Sequence, residues 1–210
     1  PATMRLSLSQ DGTITFWNGA VDIGQGSTTV LAQIAADALG APVSLLNSVI
    51  GDTDRTFDAG KTSASRQTFV SGKAAELAAL ALRAELLRLT NAGPDALIRF
   101  GGPVVSVEED GVPYATYGFG AQVAALDVDL DLGTVKVRRI LAAHDVGRAI
   151  NPLLVEGQIH GGIAQGLGLA LMEEFIPGRT ENLHDYLIPT FGDMPEIEVM
   201  LVEDGEPLAC

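Results

Sequence analysis

The stretch Val21-Asp22-Ile23-Gly24-Gln25-Gly26-Ser27 joins an alternating segment to a helical one, and it indicates the fold class of the first half of the chain. Upstream of it, apolar residues alternate on both sides of a turn at Asp11-Gly12, which is typical of a β-hairpin. Downstream of it, apolar residues recur every three to four positions from Ser27 to Leu39, which predicts an amphipathic helix. Ser27 or Thr28 is expected to cap this helix.

The same order of segments returns in the second half of the chain. Alternating residues from Gln122 to Ala143, interrupted by a turn near Asp131-Leu132-Gly133, predict a second hairpin. His144-Asp145-Val146-Gly147 follows, and a long helix is predicted from Pro152 to Glu173, with Asn151 as its cap. This repetition indicates two structurally related units, each a hairpin that leads into a helix.

These two units define the predicted fold and domain organisation. A strand over Val43 to Ile50 and a helix over Gly72 to Leu89 complete the first unit, and a strand over Ile197 to Val202 follows the second long helix. We predict an α+β fold of two related units of antiparallel strands packed with helices. The first unit is expected to span residues 1–120 and the second residues 121–210.

Composition and charge exclude several classes of function. The 210-residue chain has a net charge of −14 and only 13 basic residues, so it lacks the clustered positive charge that binds nucleic acid or an anionic membrane surface. No apolar run approaches the roughly 20 residues of a membrane span. One cysteine excludes an internal disulfide, and three histidines lack a compact metal-ligand spacing, so we expect no metal held by protein side chains. A disulfide-free chain fits the cytoplasm, where we place it.

Gly24-Gln25-Gly26 is the first motif that can carry chemistry. It lies between a predicted strand and the N-terminus of a predicted helix, where open backbone amides can hold a phosphate or another anion. The side-chain amide of Gln25 both donates and accepts hydrogen bonds, which suits a heterocycle or an oxo group. A tight strand-to-helix turn without a ligand is the alternative interpretation.

A second motif runs from Gly60 to Thr68, with the sequence Gly-Lys-Thr-Ser-Ala-Ser-Arg-Gln-Thr. Hydroxyl groups and small residues ahead of a helix can wrap a polar, phosphate-bearing ligand. The motif departs from a nucleotide-binding P-loop, because Arg55 stands where that loop has its first glycine. The alternative is an ordinary polar loop that caps a helix.

The third motif is the predicted helix after Asn151-Pro152, which contains five glycines. Each interior glycine destabilises a helix by up to about 1 kcal/mol relative to alanine, so close packing on another backbone or on a bulky cofactor is expected. Gln158 and Gln165 are seven positions apart and therefore share a face. Tight helix packing with exposed glutamines is the alternative.

In this order, the motifs resemble the C-terminal part of the molybdopterin-binding subunit of molybdenum hydroxylases, the xanthine dehydrogenase and aldehyde oxidase family. The likeness covers nearly the whole chain. Its further landmarks are Gly51-Asp52-Thr53, Asp145-Val146-Gly147, Asn151-Pro152, Gly157-Gln158, Gln165-Gly166-Leu167-Gly168, Asn182, Asp185-Tyr186, Pro189-Thr190, Asp193 and Pro195.

The resemblance implies the molybdenum-cofactor-binding domain type of fold and an oxidoreductase that hydroxylates an aldehyde or N-heteroaromatic carbon with water. It implies molybdenum held by molybdopterin, in the cytosine dinucleotide form, with iron–sulfur clusters and FAD on partner chains or domains. The expected partners are the rest of the molybdopterin subunit, an iron–sulfur subunit, an FAD subunit and a small-molecule substrate. Carried over position by position, the cofactor contacts are Gly24, Gln25, Gly26, Thr62, Ala64, Ser65, Gln67, Thr68 and Gln158.

One departure from the family concerns its general base. The family has a glutamate in a glycine-rich motif shortly after the strand predicted at Ile197 to Val202, whereas this chain has Asp204-Gly205-Glu206-Pro207. Glu206 follows a glycine but lacks the surrounding motif, so no catalytic residue is assigned and the chain alone is expected to be inactive. The alternatives are a non-catalytic cofactor-binding or interaction module that has lost the base, and an unrelated nucleotide-binding α+β domain.

Overall fold

The structure is a computed structural model, which describes residues 2–9, 11–92, 104–107 and 117–204. The chain divides between Tyr117 and Gly118 into two compact units. Unit 1 contains the described residues up to Tyr117, and unit 2 contains residues 118–204. Glu206 and Cys210 lie outside the described residues.

Unit 1 has a four-stranded sheet and two long helices. Its elements are β1 (Ala2–Leu8), β2 (Ile14–Asn18), α1 (Ser27–Leu39), β3 (Leu46–Ile50), α2 (Gly72–Ala92) and β4 (Val104–Val107). The strand order is β3-β2-β1-β4, in which β1 pairs antiparallel with β2 and β4, and β3 pairs parallel with β2. The parallel pair is possible because α1 carries the chain back between β2 and β3.

The core of unit 1 lies between this sheet and its helices. Met4, Leu6 and Phe16 share one sheet face, and each is at most 1% exposed. Helix α2 packs against β1 and β4, while α1 packs against β3 and against α2. The buried residues of α2 are mostly alanines, namely Ala74, Ala75, Ala78 and Ala79. Short side chains at these positions let the helix approach its neighbours closely.

Unit 2 repeats part of this arrangement. Its elements are β5 (Gly120–Asp129), β6 (Thr134–Asp145), α3 (Pro152–Leu171) and β7 (Glu196–Val202). The strand order is β5-β6-β7, with β5 antiparallel and β7 parallel to β6. Ile163 of α3 packs against Ile140 and Ala142 of β6, and this cluster is the core of the unit. Each unit therefore contains a hairpin, a helix and a strand parallel to the second strand of the hairpin.

The α+β class and the repeated hairpin-to-helix order are confirmed. Helix α1 has its predicted bounds, and the Asn151 side chain caps α3 by accepting a hydrogen bond from the N–H of Leu154 at 3.2 Å. Each sheet contains one parallel pair in addition to the predicted antiparallel ones. The strand predicted over Val43 to Ile50 is shorter, because Val43–Leu45 form a turn of 3-10 helix.

The predicted capping of α1 by Ser27 or Thr28 is wrong. Gly26 occupies the cap position with a left-handed backbone and no side-chain cap bond, and the Ser27 hydroxyl is buried without a hydrogen-bond partner in the described part of the chain. The cap group comes from Asp22, four residues upstream of Gly26, whose carboxylate accepts the amide of Thr28.

Candidate cofactor-binding site

The loop around Gly24-Gln25-Gly26 is organised by the Asp22 carboxylate. Oδ2 of Asp22 accepts a hydrogen bond from the N–H of Thr28 at 3.0 Å, and Oδ1 accepts from Gly24 at 2.8 Å and Gly26 at 3.2 Å. The amide of Thr28, supported by those of Gly24 and Gly26, holds the pKa of the Asp22 carboxyl below its ordinary value. Gly24 and Gly26 have φ angles of 105° and 81°, a region that favours glycine.

This carboxylate changes what the loop can bind. The sequence predicts that open amides at the start of α1 could hold an anion, but three of these amides already donate to Asp22. An added phosphate would also face the charge of Asp22 at close range. The loop therefore offers a ligand its glycine backbone and the side chain of Gln25 instead of an open anion cradle.

The side-chain amide of Gln25 has a hydrogen bond to its oxygen but none from its nitrogen among the described residues. Its Oε1 accepts a hydrogen bond from the N–H of Ile23 at 2.7 Å, which fixes the orientation of the amide group. Its Nε2 is buried and has no hydrogen-bond partner among the described residues. A buried donor without an acceptor is destabilising and calls for a physical explanation. A ligand acceptor beside this nitrogen would satisfy it.

The loop from Gly60 to Thr68 is joined to this region by a chain of hydrogen bonds. Thr62 Oγ1 donates to the carbonyl of Val21 at 2.8 Å, and Gln67 Nε2 donates to Thr62 Oγ1 at 2.9 Å. The Ser71 hydroxyl in turn donates to Gln67 Oε1. Thr62 and Gln67 are therefore brought beside the segment that precedes Gly24, so the first two sequence motifs meet in unit 1.

The backbone of the same loop is unusual in two places. Ala64 and Ser65 are the non-glycine residues with positive φ in the described chain, at 54° and 52°, and both side chains are exposed. The next residues, Gln67–Ser71, form a turn of π-helix before α2. Left-handed non-glycine residues and π-turns are strained, so they persist only where the surrounding structure compensates for the strain. Both are enriched at ligand sites. The Arg66 guanidinium stabilises the loop by donating to the carbonyls of Ala59 and Lys61.

Gln158 lies in a separate cleft within unit 2. The cleft has a volume of about 680 Å³, which is within the usual range for small-molecule sites. Its polar lining includes Gln158, Gln122 and His144, and Nε2 of Gln122 lies 3.1 Å from Nε2 of His144. Its apolar lining comes from Phe119, Val146, Val155, Ile159 and Ile163. Amides and an imidazole above an apolar floor can orient a flat polar heterocycle.

The glycines of α3 divide into two groups. A Cβ at Gly168 would overlap a carboxylate oxygen of Glu173 and lie 2.7 Å from Cδ of Pro189, so this glycine permits close packing of the following loop. The other four, Gly157, Gly161, Gly162 and Gly166, have open space where a Cβ would stand. Packing within the described chain therefore accounts for one of the five glycines, and Gly162 lines the cleft beside Gln158.

The structure groups the predicted contacts by unit. Eight of them belong to unit 1, namely Gly24, Gln25, Gly26, Thr62, Ala64, Ser65, Gln67 and Thr68, and Gln158 belongs to unit 2.

The sequence patterns did not indicate Asp22, Gln122 and the cleft position of His144 as site residues. Asp22 was detectable, since Asp-x-Gly favours a turn in which the carboxylate accepts the amide two residues later. Gln122 and His144 face each other only because β5 and β6 pair in this register.

Comparison with known proteins identifies the family. The molybdopterin cofactor-binding domain matches the chain twice, over residues 1–107 and 98–195. The chain belongs to the molybdopterin cofactor-binding domain family. This result confirms the resemblance to molybdenum hydroxylases and removes the alternative of an unrelated nucleotide-binding domain.

Individual relatives are subunits of molybdenum oxidoreductases. The chain is 36% identical to the xanthine dehydrogenase molybdenum-binding subunit of Escherichia coli O157:H7, with 98% of this chain and 33% of that protein aligned. It is 29% identical to the aldehyde oxidoreductase molybdenum-binding subunit of Escherichia coli K12, over 98% of this chain and 32% of that protein. The crystal structure of quinoline 2-oxidoreductase from Pseudomonas putida 86 superimposes with a TM-score of 0.82, at 27% identity, covering 99% of this chain and 32% of that one.

The chain spans about one third of the length of these relatives. Within the described ranges, no three His, Cys, Asp or Glu side chains are grouped so that they could hold a metal ion. In those same ranges, every helix is too short or too polar to cross a membrane.

Proposed function

We propose that this chain forms part of the wall that holds molybdopterin in a molybdenum hydroxylase. The observation that carries the proposal is the Nε2 of Gln25, which is buried without a partner among the described residues. Gln25 lies within residues 1–107, which the molybdopterin cofactor-binding domain matches. A donor left without a protein acceptor fits a cofactor acceptor, since an unsatisfied buried donor costs about 1–3 kcal/mol. Because Oε1 is fixed by the amide of Ile23, this nitrogen has a defined direction.

The remaining assigned residues have distinct roles in this proposal. Gly24 and Gly26 let the ligand approach the backbone, while Asp22 holds the loop in shape. Thr62 and Gln67 support the Ser/Thr loop through their shared hydrogen bond, and Ala64, Ser65 and Thr68 present exposed contact surface. Gln158 supplies an amide in the cleft of unit 2.

When bound in the complete enzyme, molybdopterin would hold molybdenum through its dithiolene and would supply the chemistry for hydroxylating an aldehyde or N-heteroaromatic carbon with water. We propose the cytosine dinucleotide form of the cofactor, an iron–sulfur subunit and an FAD subunit as partners, and a cytoplasmic location. The relatives support partner chains in general, since one of them is the gamma subunit of a 6-hydroxypseudooxynicotine dehydrogenase complex.

The proposal can be tested in a chimeric subunit. The matched third of the Escherichia coli xanthine dehydrogenase subunit is replaced by this chain and expressed with that enzyme's partner chains. We expect Gln25→Ala and Gln158→Ala each to lower the molybdenum content at least threefold, because each removes a hydrogen bond to the cofactor. Metal content is measured by mass spectrometry, and nucleotide release on acid treatment distinguishes the cytosine dinucleotide from the form without nucleotide.

A matched control is available on α3. Gln165→Ala removes an exposed glutamine of the same helix that does not line the cleft, and it should leave the molybdenum content unchanged. Unchanged molybdenum in both test variants would contradict the assignment of these glutamines. Full molybdenum content without turnover in the unmutated chimera would favour the alternative of a non-catalytic cofactor-binding module.

A further inference from the structure

The cleft of unit 2 lies at the end of the sheet face that packs against α3. Ile140 and Ala142 of β6 belong to the core on this face, and His144 is the next residue of β6 on the same face. In the strand pairing, Gln122 lies opposite Ala142, and Gly120 lies opposite His144. Since directly opposite residues share a face, the apolar core passes into a polar end where the cleft opens.

The place of the His144 ring depends on Gly120. A Cβ at Gly120 would lie 2.8 Å from Nδ1 of His144, a separation that Cβ atoms do not reach in proteins. The glycine therefore lets the imidazole lie against the backbone of β5. The lack of a side chain at Gly120 thus makes room for the ring beside Gln122.

The contact with His144 fixes the orientation of the Gln122 amide. The contact joins two nitrogens, Nε2 of Gln122 and Nε2 of His144, which are 3.1 Å apart. An amide NH2 group can only donate, so the contact is a hydrogen bond when Nε2 of His144 accepts, as in the neutral imidazole with its proton on Nδ1. With its nitrogen directed at the ring, Gln122 keeps its oxygen as an acceptor that no described residue occupies.

The charge of the cleft also favours a ligand that donates hydrogen bonds. Among the described residues that line the cleft, Asp145 carries the formal charge. Its Oδ1 accepts from the amides of Gly147 at 3.1 Å and Asp204 at 3.3 Å, which hold the carboxylate in place. Because this charge repels a phosphate and attracts N–H groups, the cleft suits a flat heterocycle with N–H donors at its edge.

We propose that His144 is a positioning residue, which turns the Gln122 amide so that its oxygen accepts a hydrogen bond from an N–H group of the molybdopterin ring system. This inference rests on the proposed function, since it takes molybdopterin to be the ligand of the cleft. The pterin ring is flat and carries amine and ring N–H donors, which fits amides above an apolar floor. Gln158 and Gln122 then contact the same heterocycle from α3 and from β5.

The tautomer of His144 tests the positioning without any cofactor. Long-range ¹H–¹⁵N correlations of the ¹⁵N-labelled 210-residue chain distinguish a proton on Nδ1 from one on Nε2, and His144→Gln identifies the signal. We expect a proton on Nδ1 of His144. In Gln122→Leu, which removes the donor, the proton should move toward Nε2. A proton on Nε2 in the unsubstituted chain would overturn the inference.

Cofactor retention tests the consequence in the chimeric subunit described above. The molybdenum that remains after dialysis should fall about fivefold in Gln122→Leu and about threefold in His144→Leu, as expected for one lost or misdirected neutral hydrogen bond. His144→Gln should retain the metal, because its amide oxygen can accept from Gln122 in place of the imidazole. Equal losses in the two His144 variants would mean a merely structural role for the ring and would overturn the inference.

A matched control for His144→Leu is available on α3. His160→Leu makes the same change at an exposed histidine that does not line the cleft, and it should leave the molybdenum content unchanged. A loss in this control equal to that in His144→Leu would show that the effect does not come from the cleft, and it would contradict the proposed role.

The pH dependence of retention is a readout that a structural role would not move. When His144 gains a proton, its Nε2–H competes for the Gln122 oxygen, so retention should fall from pH 8 to pH 5, the range in which imidazoles take up a proton. In the described lining, β5 and α3 contribute no charged group, and Asp145 is the other titratable residue. His144→Gln should flatten this profile, and an unchanged profile in that variant would overturn the inference.

The failure of this inference and the failure of the cofactor assignment give different results. Loss of molybdenum in Gln25→Ala and Gln158→Ala, with none in Gln122→Leu and His144→Leu, would overturn only the role of the Gln122–His144 pair. Unchanged molybdenum in Gln25→Ala and Gln158→Ala would overturn the cofactor assignment and the ligand named for the cleft. The tautomer of His144 would still decide the orientation of the Gln122 amide in that case.

Discussion

Strands β1 and β5 hold equivalent places in the two units, yet their environments differ. Along β1, the residues Ala2, Met4 and Leu6 are fully buried. Along β5, each of the ten residues is more than one third exposed. Both strands begin a hairpin that continues into a helix and a parallel strand. In unit 1, however, a fourth strand and α2 pack against β1, and unit 2 has no counterpart among its described residues.

This difference shows that topology and burial are separate properties. Pairing of backbone groups completes the sheet of unit 2, because hydrogen bonding between strands needs no cover on either face. Burial of side chains requires a second layer, and α3 alone supplies it for Ile140, Ala142 and Ile163. Val123 and Met200 lie on the opposite face of the sheet, and each is 63% exposed.

The largest expected change in the free energy of unfolding comes from truncating apolar side chains at comparable positions of the two strands. Leu6→Ala removes a fully buried side chain and should lower the free energy of unfolding of unit 1 by about 3 kcal/mol. Val123→Ala removes a side chain that is 63% exposed and should cost less than about 0.5 kcal/mol. Urea unfolding followed by the fluorescence of Trp17 reports unit 1, since this is the one tryptophan of the chain. Far-UV circular dichroism reports both units. Equal costs for the two variants would remove the contrast between the strands.

A smaller effect is expected at two glycines of the same helix. Gly168→Ala should destabilise unit 2 by about 2 kcal/mol, because the new methyl group would overlap Glu173 and Pro189. Gly161→Ala has open space and should stabilise α3 by up to about 1 kcal/mol through its higher helix propensity. Hydrogen exchange of α3 measures both changes in the isolated chain. Opposite signs are expected, and destabilisation by both variants would mean that Gly161 is also closely packed.

The smallest effect compares the caps of the two helices. Asp22→Ala and Asn151→Ala should each cost about 1 kcal/mol at neutral pH, since each removes an acceptor of helix N-terminal amides. The contributions of these two caps to the free energy of unfolding should differ in their dependence on pH. The lowered pKa of Asp22 makes its contribution fully present above the unfolded-state value of about 3.9, and the contribution is lost as pH falls through the lower folded-state pKa. Unfolding free energies between pH 2.5 and 7 check this, and a contribution of Asp22 that persists unchanged to pH 2.5 would contradict it.

Local signals in the sequence were sufficient for most elements. The period of α1, the glycine exit at Gly40 and the Asn151-Pro152 start of α3 were readable because caps and hydrophobic stripes act over a few residues. The bounds of the strand before Gly51 were less accurate, since a 3-10 turn and a strand can carry the same apolar residues. The Asp22 cap was missed because the nearer Ser27 and Thr28 satisfy the usual cap preference.

By itself, the sequence determined the α+β class, the repeated hairpin-to-helix order and the residues of three motifs that resemble a family. Those properties depend on short-range periodicity and on residue types at fixed spacing. Only the tertiary structure decided that Gln25 Nε2 is buried without a hydrogen-bond partner among the described residues and that the Thr62 hydroxyl bonds to the carbonyl of Val21. It also decided which sheet face of unit 2 stays uncovered. These features arise from contacts between residues far apart in the chain or from the absence of a second layer, and no local pattern encodes them.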